Sequence, residues 1–234
     1  MSEELSFETY LSISNTKFEI YLLDKKNLKN IYKEEINVEK YKDFIDYNLL
    51  SKFLDKNIFK IEKLIGKFIK KISIIIENNK ILNLKVGIKK KNDDKTISKS
   101  YLESTLTEVK DLFKENYQDY KIMHVLLNKY LIDGVQYSIS DKDINGENLH
   151  LEMNFISLPL SINQEINIVL QKYQIIVDHY FDGCYVKNFF GSEKTHLSLL
   201  SSKLRNGENE NEIALVPKSF EKKGFFEKFF QFFG

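Results

Sequence analysis

The sequence predicts a mixed protein of helices and strands, of the α+β or α/β class. It is expected to have two parts, followed by a polar linker and an amphipathic tail. Three observations carry that expectation. The first 36 residues alternate apolar and polar side chains with period two, as short half-buried strands do. Leu50, Leu54, Ile58, Ile61, Ile65 and Phe68 then share one face of a helix about 20 residues long. Near the end, RNGENENE contains no apolar residue and is followed by EKKGFFEKFFQFFG, rich in phenylalanine.

Composition bounds the function classes. A chain of 234 residues makes one or two compact units. Its 35 Lys+Arg against 34 Asp+Glu argue against general nucleic-acid binding, which needs excess cations to displace counterions. Arg205 is the only arginine and Ala214 the only alanine, while Lys, Ile, Asn and Phe abound. That skew is read as AT-rich codon usage, and the lysines as solvated faces rather than a phosphate-binding patch. A single cysteine, Cys184, excludes an intramolecular disulfide framework and a cysteine-rich zinc site. The acidic, polar start MSEELSFETY is unlike a secretory signal, and no run approaches 18 apolar residues. The expectation is a soluble body in a reducing compartment with a peripheral membrane contact.

In order along the chain, 10–14 and 18–22 read as strands separated by the turn-prone Asn15-Thr16, and 28–36 as a third strand in a meander. The helix at 48–69 follows. Strands at 72–77 and 81–88 flank the turn Asn78-Asn79. Ser98 or Ser100 can cap a helix whose face holds Leu102, Leu106, Val109 and Phe113. Strand-like segments at 121–132 and 147–158 surround the turn signal Asn145-Gly146. Pro159 ends the second of these. Ser161 can then cap a helix bearing Ile162, Ile166, Val169 and Tyr173, with a strand at 175–179 and a helical stretch at 191–202. No repeat of 20–50 residues points to a solenoid or propeller.

Residues 101–178 resemble the inserted subdomain of FtsA, the actin-like protein that ties the bacterial division ring to the membrane. The segment HVLLNKYLID carries the resemblance, with His124, Val125, Leu126, Tyr130, Ile132 and Asp133 on the family's pattern and Leu127 in place of its proline. Gly146 and Leu149 stand where the family has glycine before an aliphatic strand, and Val177-Asp178 matches the end of its Gly-Leu-x-Val-Asp. The resemblance covers most of residues 7–190. It implies an actin-like (ribonuclease-H-like) half-lobe at 7–97 and 176–203, interrupted by an α+β subdomain at 98–175. A linker at 204–218 and a membrane-targeting helix at 219–234 would follow. The partners it implies are division proteins, self-association through the insert, and the inner membrane surface, with no nucleic acid. The location would be peripheral, at the cytoplasmic face of the bacterial inner membrane.

Two departures bear on activity. The family's first phosphate loop reads Asp-Ile-Gly-Ser/Thr-x-Lys after a strand. Here Ser12 replaces the acid that helps position magnesium, and Ser14 replaces the glycine that lets backbone amides reach phosphate. Thr16 and Lys17 remain, but alone they carry little and read as part of a β-turn. The second lobe, with its glycine-rich loop and its site for the FtsZ tail, is also expected to be missing. The expectation is therefore a degenerate loop at Ser12, Ser14, Thr16 and Lys17, with no cofactor, no metal and no catalytic residue.

The tail resembles the family's membrane-targeting helix, and its pattern leads there independently. At about 100° per residue, Phe225, Phe226, Phe229, Phe230, Phe232 and Phe233 fill an arc of about 160°. Lys222, Lys223 and Lys228 can add attraction to anionic lipid. A core helix folded back on the body is the other reading.

Other constellations are weak. His124, His150, His179 and His196 form no His-x-x-x-His pair. His124 reads as a packed strand residue. His179 and Asp178 are adjacent on a strand and should face opposite ways. Cys184 reads as buried, and Lys89-Lys90-Lys91 as a solvated strand end. The leading expectation is a non-enzymatic, membrane-associated division protein presenting a protein-interaction subdomain. The alternatives are half of a two-chain ATP-binding actin-like protein, or a membrane-tethered adaptor of a pilus or secretion system.

Overall fold

In the computed structural model, the described residues are 7–38, 44–93, 96–139, 141, 143–191 and 195–213. The chain divides into two units, residues up to 81 with 160–204, and residues 82–159 with those from 205 onward.

The first unit opens with the expected meander, β1 (Phe7–Ser14), β2 (Lys17–Asp24) and β3 (Lys29–Asn37). Helix α1 (Tyr47–Ile65) begins at Asp46, whose carboxylate accepts from the Leu49 amide. It ends at Gly66, in a left-handed conformation that glycine adopts without strain because it has no Cβ. Strand β4 (Lys71–Glu77) pairs parallel with β1.

The first unit resumes after residue 159 with α3 (Leu160–Gln171), β11 (Ile176–Asp182), α4 (Gly183–Phe190) and α5 (Leu197–Arg205). Its sheet order is β11-β4-β1-β2-β3, antiparallel through β1–β2–β3 and parallel through β1–β4–β11. That order and those directions are the sheet of an actin-like, ribonuclease-H-like half-lobe.

Because strand side chains alternate, the sheet has two apolar faces. Tyr10, Tyr21, Leu23, Ile75 and Phe181 pack with Val186 of α4 and Leu197, Leu200 and Leu204 of α5. The buried stripe of α1, including Leu50, Leu54, Ile58 and Ile61, lies on the other face. There Tyr32 on β3 donates to Asn57 at 2.6 Å, and Asn57 donates to the Phe53 carbonyl at 2.7 Å, so a polar pair is satisfied inside that layer.

The second unit holds β5 (Leu82–Lys91), β6 (Thr96–Ile97), α2 (Lys99–Asn116), β7 (Tyr120–Ile132), β8 (Val135–Gln136), β9 (Ile144–Asn145) and β10 (Asn148–Pro159). Ser98 caps α2, accepting from the Tyr101 amide. The main sheet runs β5-β10-β7-β8. Helix α2 covers one face, with Leu102, Leu106, Val109 and Phe113 against Val125, Leu127, Tyr130, Leu151 and Phe155. Phe113 and Phe155 stack at 4.6 Å.

Four expectations are corrected. The insert starts at 82 rather than 98, because β5 pairs with β10 along its length. It ends at 159 rather than 175, because α3 and the turn after it belong to the half-lobe: in that turn Tyr173 donates to Asp55 of α1 at 2.6 Å and Lys172 to Ser51 at 2.7 Å. Residues 183–190 form α4, capped by Asp182, which carried no helix in the sequence reading. Of the supposed linker at 204–218, Leu204 packs in the half-lobe core, while the remaining described residues, 205–213, pack in the insert unit, with Ile213 buried in its core. A segment without apolar residues gives no sign that its last polar residue and the isoleucine after it are anchored.

Candidate functional site

The degenerate phosphate loop is the hairpin turn between β1 and β2. Ser14 Oγ accepts from the Lys17 amide at 3.0 Å and the Thr16 amide at 3.4 Å, and donates to the Lys17 carbonyl at 3.0 Å. The Thr16 carbonyl accepts from the Val38 amide at 2.8 Å. A serine folding its hydroxyl onto the next turn is a common local closure. Its effect here is to occupy the amides that a glycine loop would turn toward a phosphate.

The charges around the turn are likewise balanced locally. Lys17 pairs with Glu19 at 2.9 Å and lies 3.7 Å from Glu35, while Lys33 pairs with Glu35 at 2.9 Å and Glu19 at 3.4 Å. The hydrogen bond from Lys33, then the charge of Lys17, holds the Glu35 carboxyl below the usual carboxylate range. Ser14 stands in register with Glu77 on β4, whose carboxylate takes the Lys187 ammonium at 2.6 Å. Ser12 is buried, between Glu19 on β2 and Ile75 on β4 in register. Two lysines and two glutamates next to the turn leave no excess positive charge for an anion.

The insert's motif residues build structure. Asp133 has φ of 48°. Its carboxylate accepts from the Glu147 amide at 3.0 Å, the Asn148 amide at 2.9 Å and the Asn148 side chain at 2.8 Å. Those bonds, the side-chain one foremost, hold its carboxyl below the usual range. Gly146 sits against this knot: a Cβ there would lie 2.1 Å from Ile132 Cγ2 and 2.8 Å from Asp133 Oδ2. Tyr130 is a core residue of the same sheet, and burial pushes its phenol up to about 12.

His124 is fully buried on β7. Its Nδ1 lies 2.7 Å from Glu212 Oε1. Glu212 is brought there by main-chain pairing: the Leu127 amide donates to the Asn211 carbonyl at 2.9 Å, and the Ile213 amide donates to the Val125 carbonyl at 2.8 Å. Leu126 and Glu212 form an antiparallel bridge, and Ile213 joins the core under α2. Residues 211–213 thus add a short strand to the outer edge of β7. Glu212 and Ile213 were absent from the sequence reading. A buried histidine demands a partner, but nothing in the pattern points 88 residues onward.

Two smaller expectations change. Asp178 is the extra residue of a bulge, because Val177 pairs with Ile72 while His179 pairs with Ser73. The kink brings Asp178 Oδ2 within 3.1 Å of His179 Nδ1, where strict alternation would separate them. Cys184 is exposed rather than buried, and partial desolvation, then Asp182 and Glu77, push its thiol up, away from thiolate chemistry. Lys90, in the middle of the lysine run, pairs with Glu108. Among the described residues no group of three His, Cys, Asp or Glu could hold a metal ion. No helix among them is long and apolar enough to cross a membrane. The tail residues Lys222, Lys223, Phe225, Phe226, Lys228, Phe229, Phe230, Phe232 and Phe233 lie outside the described residues.

No protein-family model matches the chain, and no curated protein matches it. Solved structures do. The cytoplasmic domain of EpsL, an inner-membrane component of the type II secretion system of Vibrio cholerae, is 9% identical, with TM-score 0.40 over 77% of this chain and 59% of that one. The PilM–PilN type IV pilus biogenesis complex gives 7% identity and TM-score 0.49 over 79% and 50%. A Bacteroides thetaiotaomicron protein with an actin-like ATPase fold and unknown function gives 13% and 0.34 over 80% and 57%. This chain spans between 50 and 59% of their lengths. The actin-like assignment rests on the strand order and directions described above.

Proposed function

We propose that this chain is a non-enzymatic, actin-like scaffold that works at a bacterial inner membrane as an adaptor of a pilus or secretion assembly. The observation that carries the non-enzymatic part is the turn at 14–17. Its amides are already bonded to Ser14, and its lysine is paired with Glu19. A nucleotide needs open amides and a magnesium site at this point, and the turn offers neither. The fold is kept while the chemistry is lost, as suits a part whose work is to hold partners.

The membrane part of the proposal rests on the tail. Its six phenylalanines would fall on one arc at helical spacing, a sequence pattern that suits the bilayer interface. The segment adds a peripheral contact. Changing Phe226 and Phe230 to Glu should release the protein from liposomes of anionic lipid. Equal pelleting of variant and wild type would remove the membrane part.

A division role is the second reading, favoured by the FtsA-like pattern of His124, Tyr130, Asp133 and Gly146. A fluorescent fusion in the native cell separates the two. Foci that disappear when the inner-membrane components of the pilus or secretion system are deleted support the adaptor. A band at mid-cell supports division, and a uniform cytosolic signal overturns both.

A further inference from the structure

We propose that the outer edge of β7 is a strand-binding site for an extended peptide in which an acidic residue precedes an aliphatic one. Residues 211–213 are its resident occupant, and a partner protein's segment of the same chemistry displaces them. The proposal deepens the scaffold reading by giving the partner a chemistry, and rests on that reading for its purpose. Peptide binding is measured without nucleotide or membrane, so it can fail while that reading stands.

The site has three parts. The first is main-chain complementarity. The Leu127 amide and the Val125 carbonyl both point away from β10 and are met by the Asn211 carbonyl and the Ile213 amide at 2.9 and 2.8 Å. Any extended chain can make these bonds, which is how sheet edges take peptides. The second is a polar recognition point. His124 is fully buried and presents Nδ1 to Glu212 at 2.7 Å, so an occupant without an acceptor there would leave a buried ring nitrogen without this bond. The third is an apolar point. Ile213 enters the cluster beneath α2, beside Val125 and Leu127 on β7. Side chains of adjacent residues thus go to opposite faces of the sheet, and the pair Glu-Ile is read as a pair.

The way the occupant arrives makes it exchangeable. After α5 the chain passes through Gly207, at φ of 87°, and a polar run before it reaches the edge. Glu208 and Glu210 are exposed, and in the turn before the pairing Asn209 accepts from the Glu212 and Asn211 amides. Two edge hydrogen bonds, the Glu212–His124 contact and the packing of Ile213 are among the contacts that hold the segment. Its tether gives it an effective concentration that a free peptide must overcome.

The test uses a fluorescent peptide of residues 206–216 and the full chain. Wild type should take up little peptide, because its edge is filled. The Ile213→Asp chain should bind it, and a peptide carrying Glu212→Ala should bind about tenfold or more weakly. In case that variant does not fold, a second chain carries a protease site in place of 206–209 and keeps Glu212 and Ile213. After cutting, excess peptide should exchange into the edge at a rate set by release of the native segment. Failure of the labelled peptide to enter the cut chain, with the insert still folded, would overturn the proposal and make 211–213 a fixed strand. Equal binding of the Glu212→Ala peptide would overturn its specificity.

Discussion

The half-lobe and the insert each close a place where a ligand could bind, but they do so over very different distances in the sequence. At the β1–β2 turn the closing group is Ser14, which bonds to residues two and three positions away. At the outer edge of β7 the closing group is Glu212, 88 residues from the histidine it meets. Local closure costs little chain entropy and is hard to undo, because the serine cannot leave its own turn. Remote closure depends on a tethered segment, and a tethered segment can be exchanged. On the proposed reading, the first device removes nucleotide binding, whereas the second keeps peptide binding in reserve.

Variants can break or sharpen this comparison. The largest effect is expected at Gly146. Valine there would force Ile132 or Asp133 to move, and should destabilise the insert by about 3 kcal/mol in chemical denaturation while the half-lobe keeps its own transition. Next is Ile213→Ala, which should cost about 2 kcal/mol if the remote strand is part of the insert core. A cost near zero would mean the segment adds no packing.

A smaller effect separates Asp133 from its neighbours by pH. Its carboxyl, held below the usual range, stays charged in the fold where the unfolded chain already takes up a proton. Its stabilisation is therefore full above about pH 4 and fades as pH falls through the folded value. Asp133→Asn should flatten the stability profile in that acid window and leave the profile at neutral pH parallel to wild type. An unchanged acid limb would show that the knot does not depend on the charge.

The same contrast explains how much could be read from the sequence. The meander, α1 and the Ser98-capped helix were legible because period and caps are local signals. The assignment of β5 and α3 to their units was not, because it depends on which distant strand or helix each one meets. Helix α4 is only eight residues long, too short for its period to stand out. The bulge at Asp178 depends on pairing with β4, and the seat of Glu212 on the edge of β7, so neither has a sequence signature.

The central claim, an actin-like half-lobe without nucleotide chemistry, is tested most directly by thermal unfolding with and without millimolar Mg-ATP. A ligand that binds only the folded state at 100 times its dissociation constant adds about 2.7 kcal/mol, or a rise of about 5–10 °C for a chain of this size. The closed turn predicts coincident curves. A clear rise in melting temperature that disappears when Lys17 is changed to Ala would contradict the account.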